Sequence, residues 1–341
     1  MTQRNKRAGA SYQGYVNQRM RASAWQWRNL CAILFHAAPV ACSSAIRRMP
    51  DGGPTTQNTE CRKANPLSSR EWKARLAIRI AKRGQRTIVE HAHHFGPLRI
   101  QKALYPDTSG QMDLLLLHPP GGIAGGDQLS INIDVGSGAH ARISTPGAAK
   151  WYRSGGHPAG QTVALNLQGG SVLEWLPQEA IIFDDADVRS ETRSDCADDS
   201  RACGWDIWML GRKRSGEHFS SGEMRQHTRL YREQTLLWSE RVRLAADDPL
   251  RTSALGWNGA NVHGNFWALG LPQDESLLQS CREIRRDGVH LGITRFDHGL
   301  WVARALGHSA ESVRAALTEI WCQLRPALCN APGIPPRLWS T

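Results

Sequence analysis

The chain has 341 residues, and its 40% hydrophobic content is enough for a buried core in one large domain or two ordinary ones. A formal net charge of +11 suggests a nucleic-acid or anionic-membrane ligand, but residues 1 to 70 hold eleven of the 42 basic residues against only two acidic ones. Residues 71 to 341 are therefore close to neutral, which excludes a strongly basic body.

The first 70 residues differ in composition from the rest of the chain. They are rich in Arg, Ser, Gln and Asn without sustained periodicity, which predicts a disordered basic extension. A short apolar stretch from Leu30 to Val40 is interrupted by His36 and Pro39, so it predicts neither a membrane span nor an export signal. A mis-assigned start, with Met49 as a candidate, is the alternative explanation for this segment.

Alternation of apolar and polar residues dominates from residue 71 onward. Leu129 to Val135 alternates, turns at Gly136 to Gly138 and continues into Ala139 to Thr145, which predicts two strands paired across a tight turn. The pattern repeats 32 positions later in Val163 to Leu167 and Val172 to Trp175, and a third unit ends at Trp205 to Met209. Such a period predicts stacked β units.

Other strands and two helices complete the predicted fold. Further strands are expected at residues 77–80, 87–90, 98–103, 236–244 and 300–305. Asp274 is a candidate cap for one helix, and Ser309 for a longer one that is expected to stop at Pro326. The sequence therefore predicts a mainly β fold of stacked, β-helix-like strand repeats in one large domain, residues 71 to 341, with two α-helices near its C-terminus.

The loop His118-Pro-Pro-Gly-Gly-Ile-Ala-Gly-Gly-Asp127 follows a predicted buried strand and spends six positions on Pro and Gly. It has no Lys-Ser/Thr after its last Gly and no helical pattern behind it, so a phosphate cradle is the weaker interpretation. A structural turn and a loop that delivers Asp127 to a functional site both remain open.

Candidate chemistry elsewhere has competing structural interpretations. Glu174 and Glu179 lie among apolar residues, where they suit ion pairs with Lys150 or Arg153 better than the acid/base pair of a hydrolase. His91 and His93 share one face of a predicted strand and could bind one metal ion, although surface histidines are the simpler interpretation.

No complete P-loop, nucleophile elbow or His-Glu-x-x-His motif is present, so an enzyme with its own chemistry is not indicated. The five cysteines of the body form no Cys-x-x-C pair, which predicts buried thiols in a reducing, cytoplasmic protein rather than metal ligands.

Several of these strings together resemble the urease accessory protein family UreD, called UreH in some organisms. The resemblance runs from about Trp72 to Trp339 and rests on His94-x-Gly96-Pro97-Leu98, Tyr105-Pro106, His118 to Asp127, Thr145-Pro-Gly-Ala-Ala-Lys150-Trp-Tyr-Arg153-Ser, Leu173 to Glu179, Gly211-Arg212 and Gly216-Glu217.

The resemblance implies a non-enzymatic scaffold that, with UreF and the GTPase UreG, assembles on UreC-containing apo-urease and helps insert nickel. UreE is the candidate indirect nickel donor, and neither nucleic acid nor membrane is an implied partner. Acidic residues thought to line an internal nickel route in the family match Asp127, Asp206 and Glu240 here. Nickel would be in transit and not permanently bound, because carboxylates hold such an ion loosely enough to release it. The alternative function is nucleic-acid binding through the basic extension.

Overall fold

The computed structural model describes residues 72 to 340. The predicted basic extension and the candidate start at Met49 lie outside the described residues. The strands are β1 Lys73–Arg83, β2 Arg86–Phe95, β3 Arg99–Ile100, β4 Met112–Leu117, β5 Gln128–Val135, β6 His140–Ser144, β7 Ala149–Trp151, β8 Ala159–Leu167, β9 Val172–Trp175, β10 Ala180–Ile182, β11 Ala186–Cys196, β12 Arg201–Leu210, β13 Gly222–Arg232, β14 Thr235–Ala245, β15 Val262–Leu269, β16 Val289–Arg295 and β17 Leu300–Gly307. The helices are α1 Glu275–Arg282 and α2 Ala310–Cys329.

In the described part of the chain, the strands form two sheets. Sheet I has the order β14-β13-β11-β8-β5-β1-β2, and sheet II has the order β16-β17-β15-β12-β9-β6-β4-β3, with β10 and β7 attached beside β12. Successive strands of each sheet run parallel through the middle of the molecule, from β1 to β13 in sheet I and from β4 to β12 in sheet II. This is a β-solenoid of about four turns, which confirms the predicted stacked β repeats.

The predicted pairing of the first two repeat strands is wrong. The turn at Gly136 to Gly138 carries the chain from β5 in sheet I to β6 in sheet II, so these two strands belong to different sheets. Each pairs instead with the strand 32 residues later, Gln128 opposite Gly160 and His140 opposite Val172. Alternation reveals which residues face inward, whereas the partner strand depends on how the chain coils.

Two apolar layers flank sheet II. On β12, Trp208 and Leu210 point into the space between the sheets, and the alternate residues Trp205 and Ile207 pack in the layer that includes α2. The sheets therefore enclose one core, and α2 covers the outer face of sheet II.

Both helices have their predicted caps. The Asp274 carboxylate accepts a hydrogen bond from the amide of Leu277 at 3.0 Å, and the Ser309 hydroxyl accepts one from Ser312 at 3.3 Å. The predicted stop at Pro326 is wrong, because α2 continues to Cys329 with Leu328 buried. A proline near the end of a helix removes only one hydrogen bond, and packing of the last turn offsets that loss.

Smaller features also bear on the predictions. The strand expected at residues 98–103 is restricted to Arg99–Ile100. Within residues 72 to 340, the helices are too short or too polar to cross a lipid bilayer.

Candidate functional site

A cavity of about 260 Å³ penetrates between the two sheets. The loops at residues 118–123 and 145–149 form its mouth, and its walls are mostly Leu, Ile, Val and Trp side chains. Its polar lining residues deeper in the core are Gln161, Ser190, Thr192 and Asp206. A largely apolar cleft with a few converging polar groups is the usual form of a functional site.

The glycines of the loop at the mouth allow backbone contacts that other residues would prevent. A Cβ atom at Gly122 would overlap the Tyr152 ring, and one at Gly125 would overlap the backbone carbonyl of Ser154. The amide of Ile123 donates to Lys150 at 2.7 Å, and the amides of Gly126 and Asp127 also donate to carbonyls of the protein. These amides are not free for a phosphate group, so the geometry does not support a phosphate cradle.

Asp127 lies beside this mouth and outside the cavity wall. It is buried, and its carboxylate accepts a hydrogen bond from the amide of Ala124 at 2.8 Å, which closes the turn. His118 lines the cavity, and burial lowers the pKa of that imidazole while the nearby charge of Asp127 opposes the shift. Asp127 therefore closes a turn and also places a buried carboxylate beside the mouth of the cavity.

Asp206 and Glu240 lie away from the mouth, in two rows that face each other across the inter-sheet space. In sheet II, Asp206 on β12 is opposite Asn265 on β15, which is opposite Arg304 on β17. In sheet I, Thr228 on β13 is opposite Glu240 on β14. Five strands distant in sequence thus bring polar side chains to one level of the core.

Hydrogen bonds join the two rows. Gln226 donates from Nε2 to the Asp206 carboxylate at 2.8 Å, and the Thr228 hydroxyl donates to the same oxygen at 3.4 Å. Arg304 donates from Nε to Glu240 Oε1 at 3.0 Å. We call the polar residues of the cavity wall and of the two rows together the polar corridor: Gln161, Ser190, Thr192, Asp206, Gln226, Thr228, Glu240, Asn265 and Arg304.

Several buried polar atoms of this corridor have no hydrogen-bond partner in the protein. They are Gln226 Oε1, Glu240 Oε2 and both side-chain polar atoms of Asn265, and Nδ1 of neighbouring His263 is in the same state. Leaving a buried polar atom unpaired is unfavourable, so such a group calls for a bound water, ion or ligand. Sequence reasoning missed Gln226, His263, Asn265 and Arg304. Polar residues at inward positions of alternating strands were the available signal.

Burial controls ionisation at this level of the core. It raises the pKa of Asp206 to about 6, and repulsion by Glu240 adds to the shift while the bonds from Thr228 and Gln226 oppose it. Burial also lowers the pKa of His263 to about 4, with Arg304 adding to that shift and Glu240 opposing it. The corridor therefore disfavours both an anionic Asp206 and a cationic His263.

We expect Asp206→Asn to gain stability relative to the wild-type protein as the pH rises from about 4 to 6.5. The folded carboxyl keeps its proton up to about pH 6, whereas the unfolded one loses it near 3.8, so wild-type stability falls across that window. The relative change should be about 2–3 kcal/mol. Urea unfolding of both proteins at several pH values, with a chelator present, measures it; a difference that is independent of pH would contradict the burial of this charge.

Glu174 and Glu179 form ion pairs, but not with the predicted partners. Fully buried Glu174 accepts hydrogen bonds from Arg325 Nε at 2.9 Å and Trp321 Nε1 at 2.8 Å, and Glu179 lies 3.3 Å from Arg314. The predicted pairing with Lys150 or Arg153 is wrong, because the cations come from α2, far along the chain. Neither glutamate lines the cavity, so the arrangement does not support a paired-carboxylate hydrolase.

The Glu174 cluster is also a poor metal site. His140, Glu174 and Cys329 place one ligand atom each within 4.8 Å of one another. However, Arg325 occupies the Glu174 carboxylate, and burial raises the pKa of the Cys329 thiol to about 12, so the thiolate that a metal requires is disfavoured. We therefore interpret Glu174 and Arg325 as a structural ion pair.

His91, His93 and His94 are exposed on β2, the edge strand of sheet I. His91 is opposite Arg79 and His93 is opposite Ala77, so the two share a face as predicted. In the described residues they belong to no group of three ligands close enough to hold an ion. A surface location remains the simpler interpretation.

Comparisons with known proteins extend over nearly all of the described chain. A family model described as "UreD urease accessory protein" matches residues 73–340. A "Urease accessory protein UreD" of Dechloromonas aromatica (strain RCB) is 45% identical over 285 residues, covering 82% of this chain and 98% of that protein. Proteins of the same description from Nitrosococcus oceani and Pseudomonas aeruginosa are each 43% identical, and cover 81% and 79% of this chain and 92% and 95% of their own lengths.

Proposed function

This chain belongs to the UreD family of urease accessory proteins, and from that membership we propose that it is a non-enzymatic scaffold for nickel insertion into urease. In this proposal it assembles in the cytoplasm with UreF and the GTPase UreG on UreC-containing apo-urease, and UreE supplies nickel indirectly. The family assignment itself gives the chain a role in urease maturation.

The observation that carries the proposal is the polar corridor. Asp206 lines the inter-sheet cavity, and Glu240 interacts electrostatically with it from the opposite sheet. Oxygen ligands of this kind bind a divalent ion such as Ni²⁺ more weakly than thiolates or clustered imidazoles do. Weak binding suits a path along which an ion must be released, and Asp127 beside the mouth supplies a further carboxylate near the entrance.

The experiment is coexpression of this chain with UreF, UreG and urease subunits. We expect the double substitution Asp206→Asn with Glu240→Gln to leave assembly of the complex intact but to lower the nickel content of purified urease several-fold. Both replacements keep the side-chain shape and remove the charge that would attract Ni²⁺. Metal analysis of urease and copurification of the complex are the two measurements.

A matched control removes two carboxylates elsewhere. Glu191→Gln with Asp198→Asn changes two exposed residues, so it is expected to leave both nickel content and assembly unchanged. Full nickel loading in the presence of the corridor double variant would rule out the proposed route. Asp127→Ala tests the entrance separately. This variant also breaks the turn that Asp127 closes, and that effect is measured as a change in stability of the isolated chain.

A further inference from the structure

The chain folds back along α2 after that helix ends, in a surface segment that we call the strap, residues 331–339. Near its start the strap is tied to the helix, because Arg325 donates a hydrogen bond from Nη1 to the carbonyl of Pro332. Gly333 then approaches Cys322 so closely that a Cβ atom at Gly333 would overlap the backbone of the helix. The first part of the strap is therefore attached to the last turns of α2.

Beyond this tie the strap depends little on the rest of the protein for its conformation. Two of its backbone hydrogen bonds are internal, from the amide of Ile334 to the carbonyl of Pro332 at 2.9 Å and from the amide of Trp339 to the carbonyl of Pro336 at 3.0 Å. A cavity of about 420 Å³ is lined by Pro335 and Trp339 together with residues of α2, so the strap bridges an open groove there. Three of the nine strap residues are prolines, which leave the free segment few conformations to lose on binding.

Trp339, near the end of the strap, fills a slot on the outer face of sheet II. Its ring centre lies 5.1 Å from that of Trp205 on β12 and 5.4 Å from that of Trp321 on α2. Its Nε1 donates a hydrogen bond to the hydroxyl of Ser144, at the end of β6, at 3.2 Å. Tilted aromatic neighbours and an acceptor for the N–H group are what a tryptophan side chain needs on leaving water, so the slot is complementary to an indole in shape and in polarity.

The slot adjoins the segments that form the mouth of the cavity between the sheets. Ser144 is followed directly by the mouth loop at residues 145–149. Trp205 donates a hydrogen bond from Nε1 to the carbonyl of Pro177 at 2.7 Å, and Pro177 lines the same cavity. Trp339 thus contacts two residues that are each one step from the mouth.

We propose that this slot is a peptide-binding site that recognises a tryptophan side chain, and that the strap is its reversible occupant, a latch that steadies the mouth of the cavity while Trp339 is seated. The strap suits this role because it is attached at few points, carries its own conformation and bridges an open groove. The inference goes beyond the proposed function, since the ligand is a peptide segment and the site lies outside the space between the sheets.

The test adds a fluorescently labelled peptide of residues 331–341 to the purified full chain and follows its anisotropy. In the wild-type chain the strap occupies the slot at the high effective concentration of a tethered ligand, whereas Trp339→Ala leaves the slot open. We therefore expect Trp339→Ala to bind the peptide at least about tenfold more tightly than the wild-type chain does. A peptide that carries the same Trp339→Ala change should bind to neither chain.

Ile334→Ala is the matched control. Ile334 also belongs to the strap, but 64% of it is exposed, so its replacement leaves Trp339 seated and the peptide should bind as weakly as to the wild-type chain. If Trp339→Ala does not fold, Trp339→Phe retains an aromatic ring and removes the N–H donor, and it should bind the peptide more tightly than the wild-type chain. Equal peptide binding by the wild-type chain and the Trp339 variant, or tightening by Ile334→Ala as well, would overturn the proposal.

Hydrogen exchange of the same chains tests the control of the mouth. In Trp339→Ala we expect the amides of residues 145–149 and 176–178 to exchange several-fold faster than in the wild-type chain, and to slow again when the peptide is added in excess. Ile334→Ala should exchange like the wild-type chain. Unchanged exchange of these segments in a variant that binds the peptide would overturn the role of the latch at the mouth. Neither measurement involves nickel or urease, so the outcome is independent of that of the proposed function.

Discussion

Glu174→Gln is expected to lower the free energy of unfolding by about 3–5 kcal/mol, because it leaves the charge of Arg325 buried without a counter-ion. Glu174 is fully buried on β9, and it accepts hydrogen bonds from His140 on β6 and from Trp321 and Arg325 on α2. The glutamine keeps the shape of the side chain but cannot replace the carboxylate in all of these bonds. Urea unfolding at neutral pH measures the loss.

The pH dependence of the same variant provides a second measurement. Burial alone would raise the pKa of Glu174, but hydrogen bonds and charges from His140 and Arg325 lower it to about 2, below the ordinary 4.5. The carboxylate therefore contributes stability that is present above pH 4.5 and is lost as the pH falls toward 2. The wild-type protein and Glu174→Gln should accordingly converge in stability on acidification.

Glu275→Gln is the control for charge removal alone. Glu275 lies on α1 and is exposed, with Arg295 at 3.4 Å, and exposed pairs of this kind contribute about 0–1 kcal/mol. A loss of similar size in the two variants would contradict the special position of Glu174. The Glu174 cluster links α2 to sheet II. We therefore expect Trp321 to become exposed to solvent at a lower urea concentration in Glu174→Gln than in the wild-type protein.

Gly125→Ala is expected to destabilise the protein by about 2–3 kcal/mol through overpacking of the loop at the cavity mouth. A Cβ atom at this position overlaps the backbone carbonyl oxygen of Ser154, and backbone atoms cannot move aside as a flexible side chain does. The displaced loop should also lose the hydrogen bond between Ala124 and Asp127. Thermal unfolding of the purified chain measures the first effect.

Gly147→Ala is the matched control for this variant. Gly147 belongs to the other loop of the mouth, has open space where its Cβ would be added, and needs no positive φ. Its replacement should change stability by less than about 0.5 kcal/mol. If Gly125→Ala were equally harmless, the tight approach of the two loops would not be a feature of the protein in solution. In coexpression, we expect only Gly125→Ala to reduce urease activation.

Much of the fold could be predicted because it depends on local patterns. Alternation identified the inward residues of β5, β8 and β12, the spacing of 32 residues identified the repeat, and side-chain caps identified both helix starts. The end of α2 could not be identified in this way, since Pro326 is a local signal against helix and the buried Leu328 stabilises the turn through packing. The predicted pairing of β5 with β6 was also wrong because local patterns do not reveal which strands the fold brings together.

The candidate site was only partly predictable. The family resemblance drew attention to Asp127, Asp206 and Glu240, and the structure brings the last two into one cluster while Asp127 closes a turn beside the mouth. Asn265 and Arg304 carry no motif of their own. They join the cluster because β15 and β17 pair with β12 in a particular register.

The sequence by itself determined the class of fold, the repeat length and the glycine-rich turn around Asp127, because strand alternation and backbone freedom are properties of neighbouring residues. Only the tertiary structure decided that Glu174 pairs with Arg325, 151 residues away, and that Asp206, Glu240, Asn265 and Arg304 share one layer between the sheets. Those contacts depend on strand register and on how two sheets face each other. Both are set by packing of the whole chain and not by any segment of it.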